Sequence, residues 1–151
     1  MLSQRGRYAL KALIYLARSD GGARQVSVIA TDESIPRKFL ESIMSDLRRG
    51  QLVESTRGKT GGYKLSRPAD LITFGQVIRL MDGPLALLPC ASKAFYRRCE
   101  DCPDESACAL RRVMAAARQG LSEILDRTTL AHAVASDSDG LLGEGARASR
   151  A

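Results

Sequence analysis

The four cysteines of the chain all fall between residues 90 and 108, with the spacing Cys90-x8-Cys99-x2-Cys102-x5-Cys108. Prolines stand just before and within this segment, so we expect an irregular loop in which several thiolates converge on one point. Soft sulfur ligands presented in this way suit iron, above all an iron–sulfur cluster of the 2Fe–2S or 4Fe–4S type. The candidate metal-ligating residues are therefore Cys90, Cys99, Cys102 and Cys108.

Three other uses of these thiols stay open. A zinc site is one, although structural zinc usually takes two short C-x2-4-C pairs and the chain has one such pair, Cys99 and Cys102. The second is a metal-free switch, in which Cys99 and Cys102 form a disulfide or one thiol becomes a sulfenic acid. The third is a set of buried, idle thiols, because free cysteine packs well as a small hydrophobe.

The composition argues against an enzyme, a membrane protein and an exported protein. The chain has one histidine, His132, and no serine in a G-x-S-x-G setting, so neither a hydrolytic triad nor a histidine-based metal site is expected. No apolar run approaches the roughly 18 residues needed to cross a bilayer, and the first apolar stretch is not followed by a cleavage signal. We therefore expect a cytoplasmic, non-enzymatic protein with reduced thiols and no membrane partner.

Charge is distributed unevenly along the chain. There are 23 basic and 17 acidic side chains, which give a formal net charge of +6. The first 67 residues contain 13 basic and 6 acidic side chains, whereas the remainder contains 10 and 11. A polyanion such as nucleic acid is the expected partner of the first half, and a solvated basic face is the plainer alternative.

The first half of the sequence predicts three short helices joined by tight turns. Apolar residues recur at helical spacing over residues 3–18, with Ser3 as the N-cap. A second helix is predicted over residues 28–33 with Ser27 as its cap, and Ser34 with Pro36 marks the start of a third helix that extends to Arg49. Three such helices predict a helix-turn-helix domain.

The third predicted helix has two contrasting faces. At roughly 100° per residue, its apolar side consists of Phe39, Leu40, Ile43, Met44 and Leu47. The opposite side carries arginine and lysine, which donate to guanine or phosphate, together with glutamate and serine, which reach other base edges. A helix whose charged face is only solvated is the alternative. The candidate DNA-binding residues of this helix are Arg37, Lys38, Glu41 and Ser42.

A β-hairpin is predicted directly after this helix. Residues 52–56 alternate like a half-buried strand, residues 58–62 form a glycine-rich turn, and residues 63–65 begin a return strand. Such a hairpin is a wing, which places the preceding helix in the major groove while its tip reaches nearby phosphates or the minor groove. Arg57 is the candidate for the minor-groove contact, with Lys59 near the tip.

The second half predicts two further helices around the cysteine segment. Thr73 caps a helix that ends near residue 82, and a long helix with one apolar stripe extends from residue 109 to about residue 127. Thr128 is predicted to cap a last short helix. An arm with a single apolar stripe either pairs in a dimer or folds back on its own domain, and we favour the dimer.

The fold class expected is mainly α with a small β-hairpin, namely a winged helix-turn-helix domain plus a long C-terminal dimerisation helix. Four segments follow from these patterns: a DNA-binding domain over residues 1–82, a cysteine-rich cluster-binding loop over residues 83–108, a dimerisation helix with a short capping helix over residues 109–135, and a disordered tail over residues 136–151.

Several motifs along this chain are shared with a known family. They are Gly6-Arg7-Tyr8-Ala9, Ile35, Phe39-Leu40-Glu41, Leu52-Val53, Arg57-Gly58-x-x-Gly61-Gly62-Tyr63, Phe74-Gly75-Gln76-Val77-Ile78 and Met81-Asp82. With the cysteine segment, they cover nearly all of residues 1–135. In this combination the sequence resembles the IscR, NsrR and RirA group of bacterial winged helix-turn-helix regulators.

The resemblance implies DNA contacts at Arg37, Lys38, Glu41, Ser42 and Arg57, and a homodimer formed through the long helix. It also implies that Cys90, Cys102 and Cys108 ligate an iron–sulfur cluster. The sequence departs from the family in a longer stretch between the first two of these cysteines, in the additional Cys99, and in Arg111, which stands where one branch has a histidine. Cys99 either completes an all-thiolate ligand set or is a redox-active spare.

These observations lead to one functional hypothesis and one alternative. The expected protein is a homodimeric transcription regulator, of the repressor kind, that binds a roughly palindromic double-stranded DNA operator. It senses iron, cluster supply, nitric oxide or redox state through a cysteine-ligated iron–sulfur cluster. The alternative is a regulator of the same fold that senses redox state through metal-free thiols.

Overall fold

The computed structural model describes residues 2–19, 21–58 and 61–136. Within these residues the chain is mainly helical and has one two-stranded antiparallel hairpin. The helices are α1 (Gln4–Ala17), α2 (Val26–Asp32), α3 (Arg37–Arg49), α4 (Phe74–Asp82), α5 (Ala109–Arg127) and α6 (Leu130–Ala135), and the strands are β1 (Val53–Thr56) and β2 (Gly62–Leu65). The fold class predicted from the sequence is confirmed. Lys59 and the tail over residues 137–151 lie outside the described residues.

One hydrophobic core unites the N-terminal helices with both ends of the C-terminal half. Its fully or almost fully buried side chains include Leu13, Ile29, Leu40, Ile43, Met44, Leu47, Val53, Ile72, Val77 and Leu130. Leu130 belongs to α6, so the chain returns from α5 to pack against the first domain. Burial of side chains of this size contributes about 1.5–3 kcal/mol each, which makes this core the main source of stability.

The start of α1 is fixed by the end of α4. The Ser3 hydroxyl accepts a hydrogen bond from the Gly6 N–H at 2.9 Å, as predicted for an N-cap. The Asp82 carboxylate in turn accepts from the Ser3 N–H at 2.8 Å and from its hydroxyl at 2.5 Å. A Cβ at Gly6 would lie 2.8 Å from this carboxylate. Two motifs that are distant in the sequence therefore meet at one helix terminus.

Two predicted caps are wrong. α2 begins at Val26 after Gln25, without a side-chain cap, because the preceding backbone is already fixed by pairing with the hairpin. α6 is capped by Thr129, whose hydroxyl accepts from the His132 N–H at 3.2 Å. Thr128 instead ends α5, where its hydroxyl donates to the Ile124 carbonyl at 2.8 Å.

The polypeptide enters α4 and leaves α5 at neighbouring points. The Phe74 N–H donates to the Thr128 carbonyl at 2.9 Å, and the Leu130 N–H donates to the Ile72 carbonyl at 2.9 Å. These bonds join the segment before α4 to the segment after α5 as a short antiparallel pair. The cysteine segment and α5 are thus bracketed by one backbone junction.

The long helix α5 has no fully buried residue among those described. The residues of its apolar stripe differ in exposure: Met114 and Leu125 are half-buried. Four other large side chains are exposed, Leu110, Val113, Leu121 and Ile124, with exposures of 57%, 59%, 44% and 63%. The sequence pattern did not predict this difference. Across the described ranges, no helix has the length and apolar character needed to cross a membrane.

Candidate nucleic-acid interface and cysteine cleft

The candidate DNA-binding residues of α3 are brought together on one exposed face. Arg37, Lys38, Glu41 and Ser42 are all exposed. The Arg37 Nε donates to Glu41 Oε1 at 2.9 Å, an ion pair one helical turn apart. This pair restrains both side chains, while the guanidinium keeps further N–H donors for a ligand.

The opposite face of α3 packs into the core, with one exception. Leu40, Ile43, Met44 and Leu47 are buried, as the periodicity predicts. Phe39 is 36% exposed, and the edge of its ring packs against Tyr8, with centroids 5.8 Å apart and planes at 75°. Phe39 therefore lies at the boundary between the buried face and the polar face.

The wing is attached to the body of the domain through its glycines. The N–H and carbonyl groups of Arg24 and Tyr63 exchange two hydrogen bonds of 2.8 Å. A Cβ at Gly62 would lie 2.4 Å from the Arg24 carbonyl oxygen, so only glycine permits this approach. Sequence reasoning missed Arg24, because a single paired residue before a helix has no periodicity. The adjacent glycines 61 and 62 were the available signal.

The first strand of the wing is also connected to α3. The Arg48 Nη1 donates to the Ser55 hydroxyl at 3.4 Å, a contact that sequence reasoning did not identify. Arg57 is exposed and follows β1 directly, next to Gly58, which has a φ of 111°. The contact of Arg48 with Ser55 joins the last turn of α3 to the strand that precedes Arg57.

All four cysteines line a single cleft of about 520 Å³. Cys90 is buried in a 3₁₀ turn, whereas Cys99, Cys102 and Cys108 are half-buried. The Sγ atoms of Cys99 and Cys90 are 3.7 Å apart. The structure therefore places the Cys99 sulfur against that of Cys90, and the Cys99–Cys102 disulfide considered from the spacing stays a prediction.

The loop between these two cysteines folds back on itself. The Ser92 hydroxyl accepts from the Phe95 N–H at 3.0 Å, and the Arg97 N–H donates to the Pro89 carbonyl at 3.3 Å. These turns return the chain to its starting point before Cys99. The long Cys90–Cys102 stretch is thus the part of the sequence that brings Cys99 to the cleft.

The last cysteine begins α5. Cys108 is the N-cap, and its Sγ accepts from the Arg111 N–H at 3.4 Å. The Arg111 Nε donates to the Cys90 carbonyl at 3.1 Å. Arg111 connects the first and last cysteines through its own contacts.

Two of the thiols are shifted towards the protonated state. The hydrogen bond to Cys90 and burial raise the pKa of the Cys99 thiol. Burial and the neighbouring Cys108 raise the pKa of the Cys102 thiol. Because metals and clusters bind thiolates, ligation at these residues must displace protons.

The donor set fits a cluster. Among the described residues, no three histidine, cysteine or acidic side chains are drawn close enough together to hold a single metal ion. All four thiols line one cleft, and a set of soft thiolate ligands is what the irons of a cluster take. Cys90, Cys99, Cys102 and Cys108 are the residues of this chain that would hold such a cluster.

Three helices, a paired wing and an exposed polar face on the third helix define a winged helix-turn-helix regulator, here followed by a cysteine cleft and a long helix. The sequence pattern of Rrf2, described as an iron-dependent transcriptional regulator, matches residues 2–136. The chain belongs to this family, which confirms the resemblance found in its motifs.

Relatives extend over most of the chain. An rrf2-like HTH-type transcriptional regulator of Rhodobacter capsulatus is 40% identical over 134 residues, covering 86% of this chain and 89% of the relative. The structure of CymR, the global cysteine regulator of Bacillus subtilis, superimposes with a TM-score of 0.75 at 33% identity, over 89% of this chain and 96% of that one. IscR of T. potens superimposes with a TM-score of 0.73 at 25% identity, over 96% and 93%.

Proposed function

We propose that this Rrf2 family regulator is a homodimer that binds a roughly palindromic DNA operator and senses iron, cluster supply, nitric oxide or redox state through a cysteine-ligated iron–sulfur cluster. The observation that carries the proposal is the convergence of all four cysteines on one cleft at the start of α5. The family description as iron-dependent supports it.

The DNA-reading part of the proposal rests on the exposed face of α3. This face enters the major groove, where Arg37 and Lys38 donate to guanine or phosphate and Glu41 accepts from cytosine. Ser42 adds a donor and acceptor, and Arg57 reaches the minor groove from the wing. Lys59 is proposed to contact phosphate near the wing tip.

The dimer rests on the exposed side of α5. Leu110, Val113, Leu121 and Ile124, together with the small Ala117, recur at steps of three and four residues over the helix. Monomeric proteins rarely expose a continuous apolar stripe of this length, and pairing two copies removes it from water. A two-fold dimer presents two α3 helices to successive major grooves.

The proposed sensing step depends on which elements of the fold contain the cysteines. When bound, an iron–sulfur cluster supplies a redox-active centre that reacts with oxidants and nitric oxide. Ligation at Cys108 orders the first turn of α5, and ligation at Cys90 orders the loop that follows α4. Because α4 and α5 share a backbone junction, the order of this loop affects how the DNA-reading domain is seated on α5.

A metal-free thiol switch is the second candidate, and the sulfur contact between Cys90 and Cys99 favours it. Hydrogen peroxide would take two electrons and the two thiol protons from this pair, so that its O–O bond breaks to give two water molecules and one S–S bond forms. The sulfurs need to approach from 3.7 Å to the bonding distance of about 2.05 Å, which a loop can accommodate.

The deciding experiment is a visible absorption spectrum with iron and sulfide analysis on protein purified without oxygen. We expect a brown protein that contains both elements, and a Cys102→Ser variant that is colourless but binds DNA with altered affinity. A colourless wild-type protein, even after reconstitution, would contradict the cluster and leave the thiol switch. Operator binding by the wild type tests the DNA-reading part independently.

A further inference from the structure

A second cleft, of about 450 Å³, lies between α4, the segment after it and α5. It is distinct from the cysteine cleft, and none of the four cysteines lines it. Its polar wall includes Arg79, Lys93, Arg118, Ser122, Asp126 and Arg127. Its apolar wall is built from Pro84, Leu85, Ala86 and Ala94. The volume of the cleft and its mixture of polar and apolar walls are typical of a small-molecule pocket.

Positive charge is in excess in this cleft. The charge of Arg79 is matched by Asp126, which accepts from both of its terminal nitrogens. Lys93, Arg118 and Arg127 then face a single further carboxylate, that of Glu123. Glu123 already accepts from the Gln119 amide at 2.8 Å. The cleft therefore attracts an anion.

One donor on this wall lacks an acceptor. The Nε of Arg118 is shielded from solvent and has no hydrogen-bond partner among the described residues. A charged donor left unpaired away from water destabilises the protein. Arg118 itself lines the cleft, so a turn of its side chain that brings the Nε to an acceptor in the cleft would remove this cost.

We propose that this cleft binds a small organic anion, a molecule with a carboxylate or phosphate group and a short apolar body. The anionic group pairs with Arg118 and its cationic neighbours, and the body contacts the apolar wall formed by residues 84–86. Such a ligand touches both α4 and α5. It is thus placed to stabilise one arrangement of the DNA-reading domain on the long helix.

The site stays accessible in the proposed dimer. On α5, Arg118 and Ser122 lie on a different side from the exposed Val113 and Ile124, since 100° separates successive residues. Dimerisation through the apolar stripe therefore leaves the side of the cleft that carries Arg118 and Ser122 open. Ligand binding in this cleft does not require the cluster, because no cysteine lines the cleft.

The test is a titration of the full chain with succinate and, separately, with inorganic phosphate, followed through the NMR signal of the Arg118 Nε–H. We expect a saturable shift with at least one probe. The stronger probe identifies carboxylate or phosphate as the recognised group. Arg118→Gln and Lys93→Gln should each weaken binding on the order of tenfold, read by calorimetry.

Arg112→Gln is the matched control, since this arginine is exposed on the same helix and does not line the cleft. It should leave the affinity unchanged. A shift that stays linear with both probes, or an equal loss in the control variant, would overturn the proposal. Lys93 is exposed, so its variant keeps the test valid if the Arg118 variant does not fold.

Discussion

The Asp126 carboxylate of α5 accepts two hydrogen bonds from the Arg79 guanidinium of α4, at 2.6 and 2.9 Å. A Cβ at Gly75 would overlap the same carboxylate. Only glycine at this position therefore lets α5 come this close to α4. This bidentate pair directly connects the helix that completes the DNA-reading domain to the long helix.

We expect Asp126→Asn to lower the free energy of unfolding at neutral pH by about 0.2–1 kcal/mol, since both partners are partly exposed. The hydrogen bonds from Arg79 lower the pKa of Asp126. This contribution is therefore present above the ordinary aspartate pKa of about 3.9 and is lost as the pH falls through the lower folded-state value. Denaturant unfolding at neutral and acidic pH measures it, with the exposed Asp70→Asn as control.

The wing glycines give a stability prediction. Gly62→Ala should cost about 1–3 kcal/mol, because its Cβ would meet the Arg24 carbonyl and separate the wing from the domain. Gly58→Ala is a control in the same turn, where nothing lies within 4 Å and only backbone strain is added. Thermal unfolding compares the two. An equal cost would show that the pairing with Arg24 does not hold the wing.

Loss of either proposed arginine contact should weaken operator binding on the order of tenfold or more. Arg57→Ala and Arg37→Ala are compared with Arg97→Ala, an exposed arginine of the cysteine loop. Fluorescence anisotropy at several salt concentrations is the measurement. Losing a phosphate contact reduces the slope of the logarithm of the binding constant against the logarithm of the salt concentration by about one. If Arg57→Ala binds like the control, the wing contact is refuted.

The dimer is tested by a charge on the exposed stripe. Ile124→Asp should raise the dimer dissociation constant on the order of a hundredfold, because each subunit would bury an unpaired carboxylate. Gln119→Asp places the same charge on another side of α5 and should have little effect. Sedimentation equilibrium distinguishes them. A dimer that tolerates Ile124→Asp uses some other surface.

Oxidation of the metal-free protein should link Cys90 to Cys99. After treatment with peroxide, mass spectrometry of the digested protein should find this pair joined, with the loss of two hydrogens. Cys102→Ser should not prevent the link, whereas Cys99→Ser should abolish it. A Cys99–Cys102 link would show that the sulfur contact of 3.7 Å does not determine the reaction.

The sequence predicted those features that depend on neighbours along the chain. α1 with Ser3, α4 with Thr73 and the hairpin were predicted because periodicity and capping are local signals. The Ser27 and Thr128 caps were wrong because residues far away in sequence decide where those helices begin. The DNA contacts themselves stay predictions.

For the cysteine site, too, the sequence predicted the local feature but not the contact between distant residues. Spacing alone placed the four thiols in one loop, and the structure brings them to one cleft. The spacing could not identify Cys90 as the cysteine that contacts Cys99, since the nearest cysteine in sequence is Cys102. The turn at Ser92 that reverses the chain depends on a hydroxyl contact without a periodic pattern.

The backbone junction that brackets α4 and α5 makes the sensing part an exchangeable cassette. Ile72 and Leu130 are joined by a hydrogen bond, so the chain between them can vary in length without moving its two ends apart. A graft needs to retain the whole of α4, because Val77 is buried in the core and Asp82 fixes the start of α1. This arrangement lets one DNA-reading domain carry sensor loops of different chemistry, and it marks where a chimaeric regulator should be joined.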